Sequence, residues 1–239
     1  MPSRIVADRL FYIPMMEEEL ELPKEEAGHC IRVLRLLPGS EIALTDGKGF
    51  FYVAEIVSVA GKRCIVTIKE TIFQEPLWEG YLHIALAPAK NTERNEWFVE
   101  KAVEIGIDEL TFLNCRFSER RAIKTERITK IMVSAIKQSL KARLPKLNEM
   151  TDFNLFVSQE CKGQKFIAHC REGEKLELKD VIHKGENALV LIGPEGDFSE
   201  NEVKRAEENG FISVGLGKSR LRTETAGLAA CHIFNLINQ

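Results

Sequence analysis

Two glycine-bearing stretches near the C-terminus constrain this chain more than any other feature. The first is Leu191-Ile192-Gly193-Pro194-Glu195-Gly196-Asp197-Phe198-Ser199, and the second runs from Gly215 to Gly227. Each follows a short apolar run, Ala188–Ile192 or Phe211–Val214, and each precedes a helical pattern. Both therefore read as strand-to-helix loops, and loops of that kind gather ligands at the carboxyl ends of strands in open α/β sheets. Glycine lets backbone N–H and C=O groups approach a flat ligand with no Cβ in the way. Turn chemistry alone also places Gly-Pro and Gly-Xaa between strand and helix. Two such loops, each with charged residues inside the turn, go beyond punctuation. Neither has the spacing of a dinucleotide fingerprint or a phosphate-binding P-loop.

The rest of the C-terminal part alternates strands with helices. Strands are expected at 81–87, 109–114, 165–170, 188–192 and 211–214. Helices are expected after Asn91 or Thr92, over 124–140, after Ser199, and over 224–238. In the first of these helices Phe98, Ala102 and Ile105 share a stripe, with Val99 and Val103 beside it, and Gly106 closes it. Ser199 and Glu202 have the spacing of a capping box. This alternation implies a parallel sheet covered on both faces.

Residues 1–73 read differently. Glu41–Thr45, an Asp46-Gly47-Lys48-Gly49 turn and Phe50–Ser58 form a hairpin signal, and 64–69 alternates as a further strand. Glu25–Leu36 is a short helical pattern with His29, Arg32, Val33 and Leu36 on one stripe. Short strands with tight turns suggest a small barrel. Gln74–Leu77 is the linker, so the expected domains are 1–73 and 74–239.

A chain of 239 residues with 44% apolar and 29% charged residues is of the soluble globular class. No run is apolar enough to span a bilayer, and Glu17, Glu18 and Glu19 stand where a signal peptide would be apolar. Six scattered cysteines without a C-x-x-C pair indicate neither zinc nor a disulfide framework, so no metal is expected and a reduced, cytoplasmic setting is. Cys161, His169 and Cys170 lack a fourth ligand. Net charge is only −3, yet 116–146 holds ten basic residues against two acidic ones. That asymmetry is the footprint of a phosphate-binding surface, although a solvated helix face has the same composition.

The two C-terminal loops, IGPEGDFSENEV and LGKSRLRTETAGLAA, closely resemble the signature of the 16S ribosomal RNA uracil-N3 methyltransferases, the RsmE family of the SPOUT superfamily. Further matches are Lys90, the Trp97 to Gly106 helix, Ser118-Glu119-Arg120, and Gln138-Ser139 with Pro145. Asp197 stands where many members have a second glycine, and Lys141 where arginine is usual.

The resemblance implies a PUA-like β-barrel that binds RNA, followed by a SPOUT-type α/β domain with a C-terminal trefoil knot. It implies S-adenosyl-L-methionine as methyl donor, 16S ribosomal RNA or the small ribosomal subunit as partner, and a homodimer formed through the last helix. Donor-binding candidates are His169, Cys170, Ile192, Gly193, Pro194, Glu195, Gly196, Leu216, Gly217, Ser219, Leu221 and Thr225. Arg222 is the candidate for stabilising negative charge on the uracil oxygens, and Glu224 or Glu195 for accepting the proton or orienting the ribose. RNA-binding candidates are Arg32, Arg35, Arg116, Arg120, Arg121, Lys141 and Arg143. A non-catalytic RNA-binding protein, a small-molecule α/β module and a methyltransferase acting at another RNA position remain open at this point.

Overall fold

The computed structural model describes residues 9–173 and 175–239. They form two compact units, one reaching up to residue 75 with 133–144 added and one of 76–132 with the residues from 145 onward.

In the first unit the strands are β1 (Leu10–Tyr12), β2 (Glu19–Glu21), β3 (Glu41–Thr45), β4 (Phe50–Ala60) and β5 (Arg63–Phe73). They make one sheet in the order β1-β3-β4-β5-β2, with only the β1–β3 pair parallel. The β3–β4 hairpin turns where the sequence indicates, because Gly47 and Gly49 take φ of 75° and 107° and Asp46 accepts a bond from the Lys48 amide. Two bulges bend the β4–β5 ribbon, at Val53/Ala54 and Ile56/Ser58.

The stripe at His29, Arg32, Val33 and Leu36 is only half inward: Leu36 packs against the core and His29 meets the Phe11 ring edge-on, while Arg32 and Val33 are exposed. Helix α1 (Lys24–Gly28) gives way to a π-helical turn over His29–Val33, which widens the repeat and rotates the apolar side. Ala27 and Cys30 are buried instead, Ile31 and Leu34 pack against the core, and Val33 is 67% exposed. Arg35 follows at φ 52°.

The second unit carries an eight-stranded parallel sheet. Its elements are β6 (Leu82–Leu86), α2 (Thr92–Ile105), β7 (Glu109–Asn114), α3 (Thr125–Gln138), β8 (Lys146–Leu147), β9 (Thr151–Asp152), α4 (Phe153–Val157), β10 (Gln164–Ala168), β11 (Leu176–Glu177), α5 (Leu178–Val181), β12 (Ala188–Ile192), α6 (Glu200–Glu208), β13 (Ile212–Gly215) and α7 (Thr223–Asn238). The last turns of α3 group with the first unit.

The order is β11-β13-β10-β12-β6-β7-β8, with β9 also beside β7. All five residues of β12 are buried, as a central parallel strand requires. One core cluster joins Ile167, Leu189 and Leu191 to Phe153, Phe198 and Phe211. Asn91 caps α2, Gly106 ends it at φ 141°, and Ser199 with Glu202 forms a complete capping box on α6. From β6 the chain steps outward to β7, returns through β10, places β12 between β10 and β6, and then sets β13 on the far side of β10. Such a reversal opens a crevice at the carboxyl edge of the strands.

Candidate active site at the carboxyl edge of the parallel sheet

Three loops leave the carboxyl ends of β10, β12 and β13 and enclose a cavity of about 980 Å³. That is at the upper end of the range for small-molecule sites. After β12 the chain turns through Gly193-Pro194-Glu195-Gly196-Asp197. Asp197 has φ 64°, the left-handed region that Asp tolerates better than most residues. Its side chain ties two loops together: Oδ2 accepts from the Cys170 amide at 2.9 Å and Oδ1 from the Phe198 amide at 2.8 Å. Thr223 Oγ1 donates to the Gly193 carbonyl at 3.0 Å, joining the start of α7 to the same turn.

In the third loop Gly217 takes φ 101°, and its amide donates to Glu177 Oε2 at 2.7 Å. A Cβ there would meet nothing within 4 Å, so only backbone conformation demands glycine. At Gly196 the demand is different. Its φ is not positive, and an added Cβ would lie 3.1 Å from Phe117 Cβ.

The cavity brings together His169, Cys170, Ile192, Gly193, Pro194, Glu195, Gly196, Leu216, Gly217, Ser219, Leu221 and Arg222. Of the sequence candidates, Thr225 and Glu224 do not line it. Thr225 is exposed on α7. Glu224 is buried, 7% exposed, in the first turn of α7, where the helix dipole favours a carboxylate. One of its oxygens lies 3.7 Å from Arg94 Nε and the other has no hydrogen-bond partner among the described residues. Sequence reasoning missed Lys175 and Glu177 in the lining, whereas Lys218 and Arg220 fall within the Leu216–Leu221 loop expected to hold the donor. Lys218 and Arg220 sit inside the matched motif; Glu177 lies in a two-residue strand with no periodic signal.

His169 is held by a relay. Ser213 Oγ donates to Glu207 Oε1 at 2.7 Å, so its single proton is committed and it accepts from His169 Nε2 at 3.0 Å. This sets the tautomer with the proton on Nε2. Burial and the nearby Lys175 ammonium push the imidazole pKa below its ordinary value, against the pull of Asp197 and Glu207. A neutral imidazole at neutral pH follows. Arg222 stands at the N-cap of α7 with its side chain exposed at the cavity. Glu195 Oε1 accepts the Lys90 amide at 2.9 Å, which holds the β6 loop against the β12 loop.

The donor set suits an adenosyl ligand. Glycine and backbone form much of the wall, Ile192, Leu216 and Leu221 supply apolar surface, and Arg222 and Glu195 offer charge of both signs. Among the described residues no cluster of three His, Cys, Asp or Glu could hold a metal ion, and no helix is long and apolar enough to cross a membrane.

The RNA-binding candidates are divided between the two units. In the second unit Arg116 and Arg121 are exposed. Arg120 is engaged, donating to the Lys90 carbonyl at 2.6 Å, and acts as a tether for its loop. In the first unit Arg32, Arg35 and Arg143 are exposed, with the Arg143 guanidinium 5.5 Å from the Phe73 ring centre. Lys141 is 8% exposed there, so its ammonium is not presented to a phosphate.

Comparison with known proteins accounts for this arrangement. Residues 74–235 match the RNA methyltransferase domain family and residues 22–69 the PUA domain of RNA methyltransferases. A probable rRNA methyltransferase from Porphyromonas gingivalis is 43% identical, with a TM-score of 0.93 over 96% of this chain and 98% of that one. The ribosomal RNA small subunit methyltransferase E of Neisseria gonorrhoeae, solved bound to S-adenosyl methionine, is 27% identical, with a TM-score of 0.84 over 93% and 94% of the two chains. The Bacillus subtilis protein of that same name is 26% identical over 92% of this chain and 93% of its own. With a PUA domain ahead of a parallel-sheet α/β domain and matches along nearly its full length, the chain belongs to the RNA methyltransferase family whose members include ribosomal RNA small subunit methyltransferase E.

Proposed function

We propose that the protein methylates uracil N3 in 16S ribosomal RNA of the small ribosomal subunit, using S-adenosyl-L-methionine and no metal. The observation that carries this reading is the glycine-backed cavity at the carboxyl edge, with Arg222 at its lip, in a chain of this family. The donor supplies an activated methyl group on a sulfonium. The chain's own task is to position and to manage charge. Backbone groups of the His169–Arg171, Ile192–Gly196 and Leu216–Leu221 loops hold adenine and ribose, while Ile192, Leu216 and Leu221 exclude water. The acceptor base leaves its local stack to reach the cavity. As N3 gains the methyl group its proton must leave, and negative charge develops on the ring carbonyl oxygens. Arg222 stabilises that charge. Glu195, exposed at the same lip, is the better placed carboxylate to accept the proton, because Glu224 lies outside the lining.

The finer architecture belongs to the same reading. Residues 1–73 act as a PUA-like β-barrel and 74–239 as a SPOUT domain whose C-terminal loops form a trefoil knot. Two chains pair through α7, where Ala226, Ala229, Ile233 and Ile237 are incompletely buried and Leu236 is 66% exposed. The enzyme works in the cytoplasm, where its substrate is. Calorimetric titration tests the reading: S-adenosylmethionine and S-adenosylhomocysteine should both bind at one site per chain, and absence of binding contradicts it.

A further inference from the structure

The loop after β7 carries an aromatic side chain that packing does not explain. Phe117 is 44% exposed, whereas its neighbours Cys115 and Ser118 are buried. The loop is nonetheless firmly held, and not by the phenyl ring. The Arg116 amide donates to Glu202 Oε1 at 2.8 Å, the Cys115 amide to Ser118 Oγ at 3.0 Å, and Arg120 to the Lys90 carbonyl at 2.6 Å. Glu119 pairs with Lys90 at 2.7 Å. The root of the Phe117 side chain lies against Gly196, whose hypothetical Cβ would sit 3.1 Å from Cβ, 3.6 Å from Cγ and 3.9 Å from Cδ2. Gly196 itself lines the cavity. Phe117 is thus partly exposed beside Gly196, a residue of the cavity lining. The Arg116 guanidinium stands 5.6 Å from the ring centre, within cation–π range, and brings positive charge to the same spot.

An anchored loop that leaves an aromatic ring 44% exposed, with a guanidinium over it, has the chemistry of a nucleobase platform. Every base has a π-face, and enzymes acting on an extruded base hold it by stacking on aromatic or apolar side chains. We propose that Phe117 is the surface on which the acceptor base stacks as it enters the cavity, with Arg116 beside it to meet the negative charge of the RNA. This rests on the reading that the acceptor is a base in RNA.

Three variants test it: Phe117→Ala, Phe117→Leu and Phe117→Tyr. Each is assayed for kcat/KM of labelled methyl transfer into small subunits lacking the modification, for donor affinity by calorimetry, and for thermal midpoint. Alanine and leucine should lower kcat/KM by about tenfold to a hundredfold, the loss expected for one base–aromatic stack. Tyrosine should retain most of it. Donor affinity and thermal midpoint should stay at the parent values in all three. Leucine matching the parent, or tyrosine failing like alanine, overturns the platform alone. Parent protein that binds donor yet transfers no methyl to RNA overturns the functional reading and the platform with it.

Discussion

The two ends of the parallel sheet in the second unit use polar groups in opposite ways. At the amino edge, Glu109 accepts from Tyr81 at 2.9 Å, Lys146 at 2.9 Å and Asn148 at 2.6 Å. Thr111 meets both Asn148 and His83 at 2.8 Å, and Asp108 accepts from Trp78 and the Leu82 amide. Here the polar side chains satisfy one another around a cavity of only about 280 Å³. At the carboxyl edge the cavity is about 980 Å³, three of its lining residues (Gly173, Asp197 and Gly217) have positive φ, and His169 Nδ1 has no hydrogen-bond partner among the described residues. A closed network secures the sheet, whereas open backbone and exposed charge leave bonding capacity for a ligand. Position along the strands therefore separates a self-satisfied polar network from an open cavity in this unit.

The sharpest way to break that contrast is Arg222→Ala. If Arg222 stabilises charge that appears only in the transition state, the rate should fall by roughly a hundredfold to a thousandfold with little change in donor affinity. Single-turnover methyl transfer at saturating donor reads this directly. Weakened donor binding with an unchanged rate would make Arg222 a binding residue.

Acid should act on the opposite edge. Burial drives the His83 pKa down to about 4, and the Glu109 carboxylate and Lys146 ammonium pull it in opposite directions. Unfolded histidine titrates near 6.5, so the unfolded chain takes the proton first, and stability falls as pH drops from about 6.5 to 4. The loss is on the order of 3 kcal/mol. For Glu109 burial acts upward, but bonds from Asn148 and Lys146, the nearby His83 and the Tyr81 hydroxyl outweigh it and hold the carboxyl at about 2. Its contribution is present above the ordinary carboxylate range and is lost as pH falls towards 2. Urea unfolding at pH 7 and pH 4.5 should show the first loss, and His83→Gln should flatten it.

Gly217→Val probes the carboxyl edge without touching the core. The strain of a non-glycine residue at φ 101° is on the order of 1–3 kcal/mol, so donor affinity should fall by about fivefold to a hundredfold. Gly196→Val should cost the donor less, since the added group meets Phe117. Calorimetry on the two variants ranks them, and the reverse ranking would move the cavity wall. The smallest effect is expected from Arg121→Glu, which should weaken RNA binding and reduce its salt slope while leaving donor binding intact. Unchanged affinity in a salt titration would shift the RNA contact towards Arg32, Arg35 and Arg143 in the first unit.

Much of the α/β unit was legible because its signals are local. Five consecutive apolar residues mark β12, Ser199 with Glu202 marks the start of α6, and Gly106 marks the end of α2. The cavity residues were legible for the same reason, since most lie in two contiguous motifs. What escaped depends on geometry that spacing does not encode. The π-helical turn at His29–Val33 shifts the buried side away from the 3.6-residue stripe, so Val33 faces solvent. Residues 133–144 group with the first unit although 133–138 belong to α3, a tertiary fact with no compositional signal. Glu224 and Thr225 share a motif with Arg222, but the first turn of α7 directs them away from the cavity. Phe117 reads as one aromatic among thirteen phenylalanines until Gly196 is found beneath it.

The central claim is that the carboxyl-edge cavity directs a methyl group to uracil N3. Its most direct test is nucleoside analysis of small subunits lacking the modification after incubation with the protein and methyl-labelled S-adenosylmethionine. The account predicts label in N3-methyluridine, abolished or reduced at least a hundredfold by Arg222→Ala. Label at a ribose O2′ or on guanine, or no transfer by protein that binds the donor, would contradict it.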